Sequence, residues 1–412
     1  MEEKKLKILM ITPYVTIAGR PEFERNKTGF GYMVHGIAMA VGALENVDVL
    51  ATDSRGFSFD EGGVHYLKRS LWLFARNVFK TLPLKCVKTL INNYSMKKGS
   101  RIRLWYYWLM TGYVNQIISE GNYDLVHIHG CAYSDDFWME LCKKKEVKFI
   151  VTLHGLNSFS DTIRVEEAGK KYERDFLQRV VDGEMPITVI SSGIKRTIQT
   201  AYHKGDCNNI KVICNSFKID SEENINICVR EMYGIPKEGN ILLYVGNISE
   251  NKNQRQMVDA YYLLPECLRK NIWILFCGSP SADGRFEKEI RNSADTSHII
   301  LCGCVDRKVI GNYFREADGV VLLSKAEGFG LSLIEGMHFG VPCAMFSDMG
   351  AFTDIYNSCA VVSIDERSDY AVASAIEKLL RTSWNKESII GYSQRFSSEE
   401  MAKNYIKAYQ DE

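Results

Sequence analysis

The chain has 412 residues, of which 46% are hydrophobic and 25% are charged, and its formal net charge is zero. This length exceeds what one ordinary hydrophobic core accommodates and predicts two domains of roughly 200 residues each. The balanced charge gives no reason to expect nucleic acid as a partner, and the composition is that of an ordinary globular protein.

Three features predict a cytoplasmic protein without a transmembrane segment. The amino terminus passes directly into an apolar strand and lacks the apolar core and the cleavage site of a secretory signal. No apolar run reaches the roughly 18 residues that a membrane-spanning helix needs. The twelve cysteines are scattered without a CxxC pair, and we interpret them as reduced thiols.

Short apolar runs alternate with helical patterns along the whole chain. The predicted strands of the first half cover residues 7–12, 47–51, 125–129, 149–153, 187–191 and 211–214. Those of the second half cover residues 241–245, 272–277, 299–302, 319–323, 342–346 and 360–362. Helical patterns between them include residues 33–44, 254–264, 308–316 and 370–381. The alternation is typical of parallel sheets covered by helices on both faces, and two such series predict two Rossmann-like domains.

The polar stretch 220–239, which contains a proline, marks the predicted domain boundary. Residues 1–219 then form the amino-terminal domain and residues 220–397 the second domain. We expect the last segment, residues 398–412, to be a helix that crosses back to pack on the first domain.

The most specific motif follows the predicted strand 319–323 and opens a helix. Residues 324–335 read Ser-Lys-Ala-Glu-Gly-Phe-Gly-Leu-Ser-Leu-Ile-Glu. Free backbone N–H groups at a helix start bind anions such as phosphate, and glycines let the phosphate approach closely. Glu335, just over one turn into the helix, is placed to accept hydrogen bonds from two vicinal ribose hydroxyls, and Glu327 to reach a sugar. The alternative is a glycine-rich turn with two exposed glutamates.

A second motif follows the predicted strand 241–245. Gly246 and Asn247 come directly after this strand, and Lys252 lies five positions after Asn247. A lysine in such a loop places a positive charge on a departing diphosphate. The alternative is a solvated loop lysine.

The first half contains a glycine loop in residues 27–32, which read Lys-Thr-Gly-Phe-Gly-Tyr. Gly29 and Gly31 stand directly before the helical run 33–44. Taken alone, this pattern indicates only a turn between a strand and a helix, because many such turns need glycine.

Histidines stand at the ends of two predicted strands in the first half. His154 precedes a glycine at the end of the strand 149–153, although a histidine in such a loop is more often structural than catalytic. His127 and His129 alternate along one strand and therefore point to the same face. His129, at the strand end, is the better candidate for a binding cleft.

These segments together resemble glycosyltransferase family four, the glycosyl transferases group 1, over roughly residues 7–405. The resemblance is carried by Gly-Phe-Gly between two glutamates eight positions apart, by the lysine loop, and by the His-Gly and glycine-loop segments. It implies an α/β protein of the GT-B fold, in which two Rossmann-like doubly wound parallel-sheet domains face across a cleft. It also implies a glycosyltransferase that retains the anomeric configuration.

The resemblance also assigns roles to the matching residues. The first glutamate holds the donor sugar, the following backbone amides bind the phosphates, and the second glutamate holds the ribose. Where the family usually has an arginine this chain has Asn247, and Arg255 is a candidate to replace that charge. The implied catalytic residues are Glu327, Lys252 and His154. The implied donor-binding residues are Gly29, Gly31, Gly246, Asn247, Phe329, Gly330, Leu331 and Glu335.

The reaction implied is transfer from a nucleotide-diphosphate sugar, with UDP favoured, to a hydroxyl of a glycan acceptor. No Asp-x-Asp motif occurs, so we expect neither an essential metal nor another cofactor. One alternative is a nucleotide-sugar 2-epimerase of the same fold, which would need cleft carboxylates that we cannot place. Another is a noncatalytic membrane-bound scaffold, against which the intact Lys252, Glu327 and Glu335 argue.

One segment of the first half is strongly basic. Residues 62–119 contain no Asp or Glu but ten cations: Lys68, Arg69, Arg76, Lys80, Lys85, Lys88, Lys97, Lys98, Arg101 and Arg103. Large apolar residues interleave with these cations, which predicts that residues 68–110 contact an anionic membrane surface, with a lipid-linked or membrane-proximal acceptor. The alternatives are a solvated basic face over buried aromatic residues, an acidic acceptor, or nucleic acid.

Overall fold

The chain divides into two compact units. The computed structural model describes residues 4–23, 29–54, 57–159, 165–217, 227–281, 283–293 and 297–411. The first unit comprises Met1–Ile190, Ile194–Cys214 and Ser398–Glu412, and the second comprises Ser191–Gly193 and Asn215–Ser397. We predicted the boundary at residue 219, whereas the first unit ends at Cys214. Residues 218–226, where the predicted linker begins, lie outside the described residues.

The first unit is an α/β structure. Its strands are β1 (Lys7–Thr12), β2 (Asn46–Ala51), β3 (Phe59–Glu61), β4 (Val64–Tyr66), β5 (Leu125–His129), β6 (Lys148–Leu153), β7 (Ile187–Val189) and β8 (Ile210–Val212). Its helices before residue 215 are α1 (Gly29–Gly42), α2 (Leu71–Asn77), α3 (Leu84–Asn93), α4 (Lys98–Gly121), α5 (Tyr133–Lys145), α6 (Glu167–Val181) and α7 (Ser192–Ala201), the last of which starts in the second unit.

The second unit has the same kind of alternation. Its strands are β9 (Asn240–Val245), β10 (Ile272–Cys277), β11 (Ile299–Gly303), β12 (Gly319–Leu322), β13 (Cys343–Phe346) and β14 (Val361–Ile364). Its helices are α8 (Val229–Tyr233), α9 (Gln254–Leu263), α10 (Glu266–Arg269), α11 (Arg285–Ser293), α12 (Arg307–Glu316), α13 (Leu331–His338), α14 (Phe352–Ile355), α15 (Asp369–Arg381) and α16 (Lys386–Ser393). The final helix, α17 (Ser398–Gln410), belongs to the first unit.

Each unit is built on one sheet. The first sheet has the strand order β3-β4-β2-β1-β5-β6-β7-β8, and only the β3–β4 pair is antiparallel. The second sheet has the order β11-β10-β9-β12-β13-β14 and is parallel throughout. As in a Rossmann fold, the strand order changes direction between β1 and β5 in the first sheet and between β9 and β12 in the second. Ligands of such sheets bind to the loops at this point.

The first unit gains part of its core from the end of the chain. Met401, Ala402 and Tyr405 of α17 lie in one buried apolar cluster with Val34 and Ile37 of α1. Because these side chains are almost fully excluded from water, α17 is an integral part of the first unit.

The predicted strands and helices of both halves are present, with ends that differ by a few residues. The structure adds the short edge hairpin β3–β4, which the sequence analysis missed because each strand has only three residues. Its turn is Gly62-Gly63, and both glycines have positive φ angles of 55° and 82°. This two-glycine turn is a hairpin signal that could have been recognised in the sequence. Among the described residues, no helix has the length and apolar character needed to cross a membrane.

Candidate functional site

Two loops meet where the second sheet reverses its strand order. Strands β9 and β12 are neighbours in this sheet, and their carboxyl ends lie at the same edge. The loop after β9 contains Lys252, and the loop after β12 contains Glu327. Ligands of open α/β sheets bind at such a reversal, so the topology brings the two most specific sequence motifs to one place.

Asn251 fastens these two loops together. The backbone N–H of Lys325 donates to the Asn251 carbonyl oxygen at 2.7 Å. The Asn251 side-chain amide donates to the carbonyl oxygen of Ala326 at 2.9 Å, and its Oδ1 accepts from the N–H of Ala326 at 3.0 Å. Three hydrogen bonds therefore hold the loop after β12 against the loop after β9. Asn251 directly precedes Lys252, and Ala326 directly precedes Glu327.

Lys252 and Glu327 form an ion pair inside this arrangement. The Lys252 ammonium donates to Oε2 of Glu327, and the Ser324 hydroxyl donates to the same oxygen at 3.0 Å. The side chains of Lys252 and Glu327 are only 23% and 17% exposed. Because water screens them less than it screens surface charges, their attraction is stronger than that of an exposed pair.

Tyr244 on β9 hydrogen-bonds to the backbone of both loops. Its hydroxyl donates to the carbonyl oxygen of Lys252 and accepts from the N–H of Leu323 at 3.0 Å. Burial raises the pKa of Tyr244 above its ordinary value, so the hydroxyl stays protonated and able to donate. The backbone on both sides of the ion pair is therefore tied to one buried side chain.

Helix α13 begins directly after Glu327 and its glycines. Gly330 is the residue before the helix and has a φ angle of 101°, a backbone conformation that side chains other than glycine rarely adopt. Phe329 is buried, with its ring 5.9 Å from that of Phe396, which anchors this turn. The N–H groups of Leu331 and Ser332 lie in the first helical turn, where no preceding helical carbonyl accepts from them. Helix α13 therefore begins where the sequence predicts the anion site, and phosphate binding there stays a prediction.

Glu335 is buried, with its side chain 4% exposed, and it is paired with a residue that the sequence analysis missed. Arg307 Nη1, at the start of α12, donates to Oε1 of Glu335 at 2.6 Å. A carboxylate at this depth needs a compensating charge, which Arg307 provides. A ribose that hydrogen-bonds to Glu335 would therefore meet the Arg307–Glu335 pair and not a lone carboxylate.

The remaining donor-binding candidates of the second unit lie in the loop after β9. Gln254 Nε2 donates to the carbonyl oxygen of Asn247 at 3.0 Å, and a Cβ atom at Gly278 would lie 2.0 Å from the carbonyl oxygen of Gly246. The loop is thus held by close backbone packing. The Nε of Arg255 donates to both carboxylate oxygens of Asp259 at 2.9 and 3.0 Å. Arg255 would have to break this exposed pair to replace the charge missing at Asn247.

In the first unit, the glycine loop and the His-Gly segment lie side by side. The ring of Phe30, between Gly29 and Gly31, contacts the ring of His154 edge to face with centroids 4.9 Å apart. A Cβ atom at Gly31 would lie 2.1 Å from the hydroxyl oxygen of Thr16, so packing alone requires glycine there. A Cβ atom at Gly29 meets no described atom within 4 Å. Residues 27 and 28 of this motif lie outside the described residues.

His127, His129 and His154 of the first unit form a cluster, in which His127 and His129 are fully buried and His154 is partly buried. His127 and His129 lie on the same face of β5 as predicted, with ring centroids 4.0 Å apart. His129 Nδ1 and His154 Nε2 are 3.2 Å apart, so one ring donates to the other. Burial lowers the pKa of His154 to about 4 and that of His129 well below its ordinary value, so both rings are neutral near pH 7.

The outer nitrogens of this pair, His129 Nε2 and His154 Nδ1, are buried without a described hydrogen-bond partner. In either direction of the shared hydrogen bond, one of these nitrogens is a donor and the other an acceptor. His127 differs, because its two nitrogens contact the hydroxyls of Tyr409 at 2.8 Å and Thr152 at 2.6 Å. His127 is therefore a core residue that links β5 to α17, whereas His129 and His154 keep unused hydrogen-bonding capacity.

Sequence reasoning missed Asn251, Arg307 and Tyr244. Asn251 and Arg307 act through contacts between segments 28 to 75 residues apart, which depend on the strand order. Asn251 directly precedes the recognised lysine, so its position was the only available signal. Arg307 follows Asp306, whose side chain caps α12, and nothing local relates it to Glu335.

Comparisons with known proteins agree with the resemblance. Residues 229–396 match the family model described as "Glycosyl transferases group 1". A D-inositol 3-phosphate glycosyltransferase from Xylanimonas cellulosilytica is 23% identical over 311 residues, which cover 71% of this chain and 72% of that protein.

Solved structures share the fold over nearly the whole chain. A glycosyltransferase from Rickettsia africae is 18% identical, with a TM-score of 0.70 and coverage of 99% of this chain and 98% of that one. The Anabaena protein HepE, in complex with UDP and glucose, is 14% identical, with a TM-score of 0.67 and coverage of 99% and 100%. The predicted GT-B fold is confirmed, and the predicted resemblance to the glycosyl transferases group 1 is confirmed over residues 229–396.

The histidine cluster predicts how stability depends on pH. Burial lowers the pKa of His127 to about 3 from an ordinary 6.5, so the native state keeps this ring neutral while the unfolded state protonates it. Because the folded-state pKa is lowered, His127 contributes fully to the free energy of unfolding above pH 6.5. This contribution decreases as the pH falls, by about 2 kcal/mol at pH 5. We expect urea unfolding of His127→Gln to depend less on pH than that of the unmodified protein between pH 7 and 5. Parallel slopes in the two proteins would contradict a neutral buried His127.

Proposed function

Because residues 229–396 match the glycosyl transferases group 1 and the chain has the GT-B fold, we propose that it moves a sugar from a nucleotide-diphosphate sugar to a hydroxyl of a glycan acceptor. The transferred group is a hexose or an N-acetylhexosamine, and the anomeric configuration is retained. UDP is the nucleotide to test first, since the Anabaena neighbour was solved with UDP and glucose.

The observation that carries this proposal is the junction of the two loops at the reversal of the second sheet. It combines a lysine, a glutamate and the start of a helix within one pair of loops fastened by Asn251. An ammonium and free backbone N–H groups suit a diphosphate, and the carboxylate of Glu327 suits the hydroxyls of a sugar. A nucleotide-diphosphate sugar carries the diphosphate and the sugar hydroxyls next to each other.

In the proposed step, the bond between the sugar C1 and the diphosphate oxygen breaks, and the acceptor oxygen forms a bond to C1 on the same face. The bonding electrons leave with the diphosphate, whose negative charge is stabilised by Lys252 and the N–H groups of α13. A phosphate oxygen takes the proton of the acceptor hydroxyl. Atoms and charge balance without a covalent enzyme intermediate, a metal or another cofactor.

Glu327 changes partner in this proposal. Without substrate it neutralises Lys252; with the donor bound, the diphosphate takes over the ammonium, and the carboxylate turns to the sugar hydroxyls. Glu335, backed by Arg307, holds the ribose. His154 acts as a neutral hydrogen-bonding group and not as a cation, because burial lowers its pKa to about 4. The phosphate contacts of Gly29 and Gly31 rest on the resemblance alone.

The acceptor belongs in this proposal to cell-surface polysaccharide or lipopolysaccharide synthesis, as a lipid-linked or membrane-proximal glycan reached from the cytoplasmic side. The 2-epimerase and the noncatalytic scaffold remain the competing hypotheses. NMR of the sugar product distinguishes them: a transferase forms a new glycosidic bond, an epimerase inverts C2 of the donor sugar, and a scaffold changes nothing.

The site assignment predicts how substitutions divide between kcat and KM. Lys252→Ala should lower kcat most, roughly 100-fold or more, because the ammonium acts on the charge that develops on the leaving group. Glu327→Ala should mainly lower kcat through lost orientation of the sugar. Glu335→Ala should raise the donor KM about tenfold or more, because it removes ribose binding and the salt bridge to Arg307. Steady-state kinetics with varied donor measure all three.

Lys325→Ala is the matched control for these variants. Lys325 lies in the same loop as Glu327, but its ammonium pairs with the exposed Glu250 at 3.2 Å. Because exposed pairs contribute little, the control should stay within about twofold of the unmodified enzyme. Near-normal turnover of Lys252→Ala or Glu327→Ala would overturn the site assignment.

A thermal-shift panel of UDP, GDP and ADP tests the donor class without knowledge of the acceptor. A nucleoside diphosphate that binds the native state raises the melting temperature, because binding stabilises the folded form by mass action. We expect one of the three, UDP first, to raise it at millimolar concentration, and Glu335→Ala to reduce the shift. No shift with any of the three would count against a nucleotide-sugar donor.

A further inference from the structure

The acid-free segment of the first unit folds into a helical surface with an unusual distribution of charge. It comprises α2, the short turn Val78–Lys80, α3 and the start of α4. Residues 62–119 carry ten cations and no carboxylate, so the rest of this neutral chain carries a net charge of −10. Of the ten, Arg103 pairs with Asp53. Within the described residues, Arg76, Lys80, Lys88, Lys98 and Arg101 lie in no salt bridge and are exposed.

The same surface exposes large apolar side chains. Six of them lie within residues 71–105: Leu71 (69% exposed), Trp72 (66%), Phe79 (94%), Leu84 (42%), Ile102 (60%) and Trp105 (37%). Single exposed apolar residues are ordinary on protein surfaces. Six large apolar side chains, exposed in one short segment together with cations that lie in no salt bridge, indicate an interaction surface.

The structure also corrects the extent of this surface. The predicted surface, residues 68–110, included the aromatic run 104–110, but Leu104, Tyr107 and Met110 are core residues of α4. Trp108 is only partly buried, yet its indole N–H donates to the carbonyl oxygen of Leu82 at 2.9 Å, as an interior tryptophan does. The outward face of α4 therefore consists of Ile102 and Trp105 with the cations before them.

The apolar and basic groups are interleaved along neighbouring helices. On α2 and the turn after it, Trp72, Arg76 and Phe79 follow helical spacing, and the Arg76 guanidinium lies 4.8 Å from the centre of the Trp72 ring. The inner side of α2 packs on α4, where the rings of Phe74 and Tyr106 are 6.5 Å apart. Trp72 and Trp105 thus project from two helices that are in contact.

We propose that these helices form a docking surface for an anionic lipid bilayer. Exposed cations that lie in no salt bridge are attracted to acidic headgroups, and tryptophan and phenylalanine insert at the boundary between headgroups and acyl chains. Leu71, Phe79 and Ile102 favour lipid over nucleic acid, because they offer apolar bulk and no hydrogen bonds to bases or phosphates. The surface does not depend on the donor site, which lies in the second unit.

Co-sedimentation of the full-length protein with vesicles tests this proposal. Vesicles of phosphatidylcholine with phosphatidylglycerol should bind it at about 0.05 M salt and more weakly at about 0.5 M salt, because salt screens the attraction. Vesicles of phosphatidylcholine alone should bind much less. The double variant Lys80→Glu/Lys88→Glu should lower the partition coefficient for the vesicles by roughly tenfold or more. Each cation near an anionic membrane surface strengthens binding about fivefold. Trp72→Ser/Phe79→Ser should also lower it, and most visibly at high salt, where apolar insertion remains.

Matched controls carry the same chemical changes elsewhere on the exposed surface. Lys144→Glu/Lys237→Glu repeats the charge change, and Tyr370→Ser, at a side chain 75% exposed, repeats the apolar loss. Both controls should bind vesicles as the unmodified protein does. Protein that stays in the supernatant at low salt, or test variants that bind like their controls, would overturn the proposal, as would tight binding to RNA in the absence of vesicle binding. The melting-temperature shift with UDP, measured on the same samples, reports on the donor site alone.

Discussion

The ion pair between Lys252 and Glu327 is the interaction on which the site of the second unit depends. It joins the loops after β9 and β12, which are adjacent only because the strand order reverses between those strands. The Asn251 side-chain amide bonds to the backbone of Ala326, beside Glu327, and the Tyr244 hydroxyl bonds to the backbone of Lys252 and Leu323. The fold thus fixes a cation and an anion at the start of α13, where backbone N–H groups also converge.

This pairing keeps the site neutral and ordered without a ligand. A half-buried ammonium or carboxylate alone would cost free energy, so each compensates the other. A diphosphate carries more negative charge than one carboxylate and is the better partner for Lys252. In the proposed reaction, donor binding and the release of Glu327 toward the sugar are then one event. Arg307 plays the corresponding role for Glu335, which is too deeply buried to remain an uncompensated anion.

Local pattern was enough to predict every strand except the short β3 and β4, the helix after Gly330 and the positions of Lys252, Glu327 and Glu335. These features follow from apolar runs and from motifs of consecutive residues. Pairing between distant segments was not accessible in this way, which is why Asn251 and Arg307 were missed. Gly31 shows a second limit, since its glycine is required by Thr16 whether or not a phosphate binds. The run 104–110 shows a third: helical packing, and not composition, decides which aromatic residues face water.

A double-mutant cycle, with UDP binding measured by calorimetry, tests whether Lys252 leaves Glu327 for the diphosphate. UDP has no sugar for Glu327 to hold, so the carboxylate only competes for the ammonium. We expect Glu327→Gln to bind UDP more tightly and Lys252→Met to bind it more weakly. Glu327→Gln should have no effect when Lys252→Met is present. The coupling should be about 1 kcal/mol or more. Unchanged or weaker UDP binding by Glu327→Gln with Lys252 intact would contradict the account.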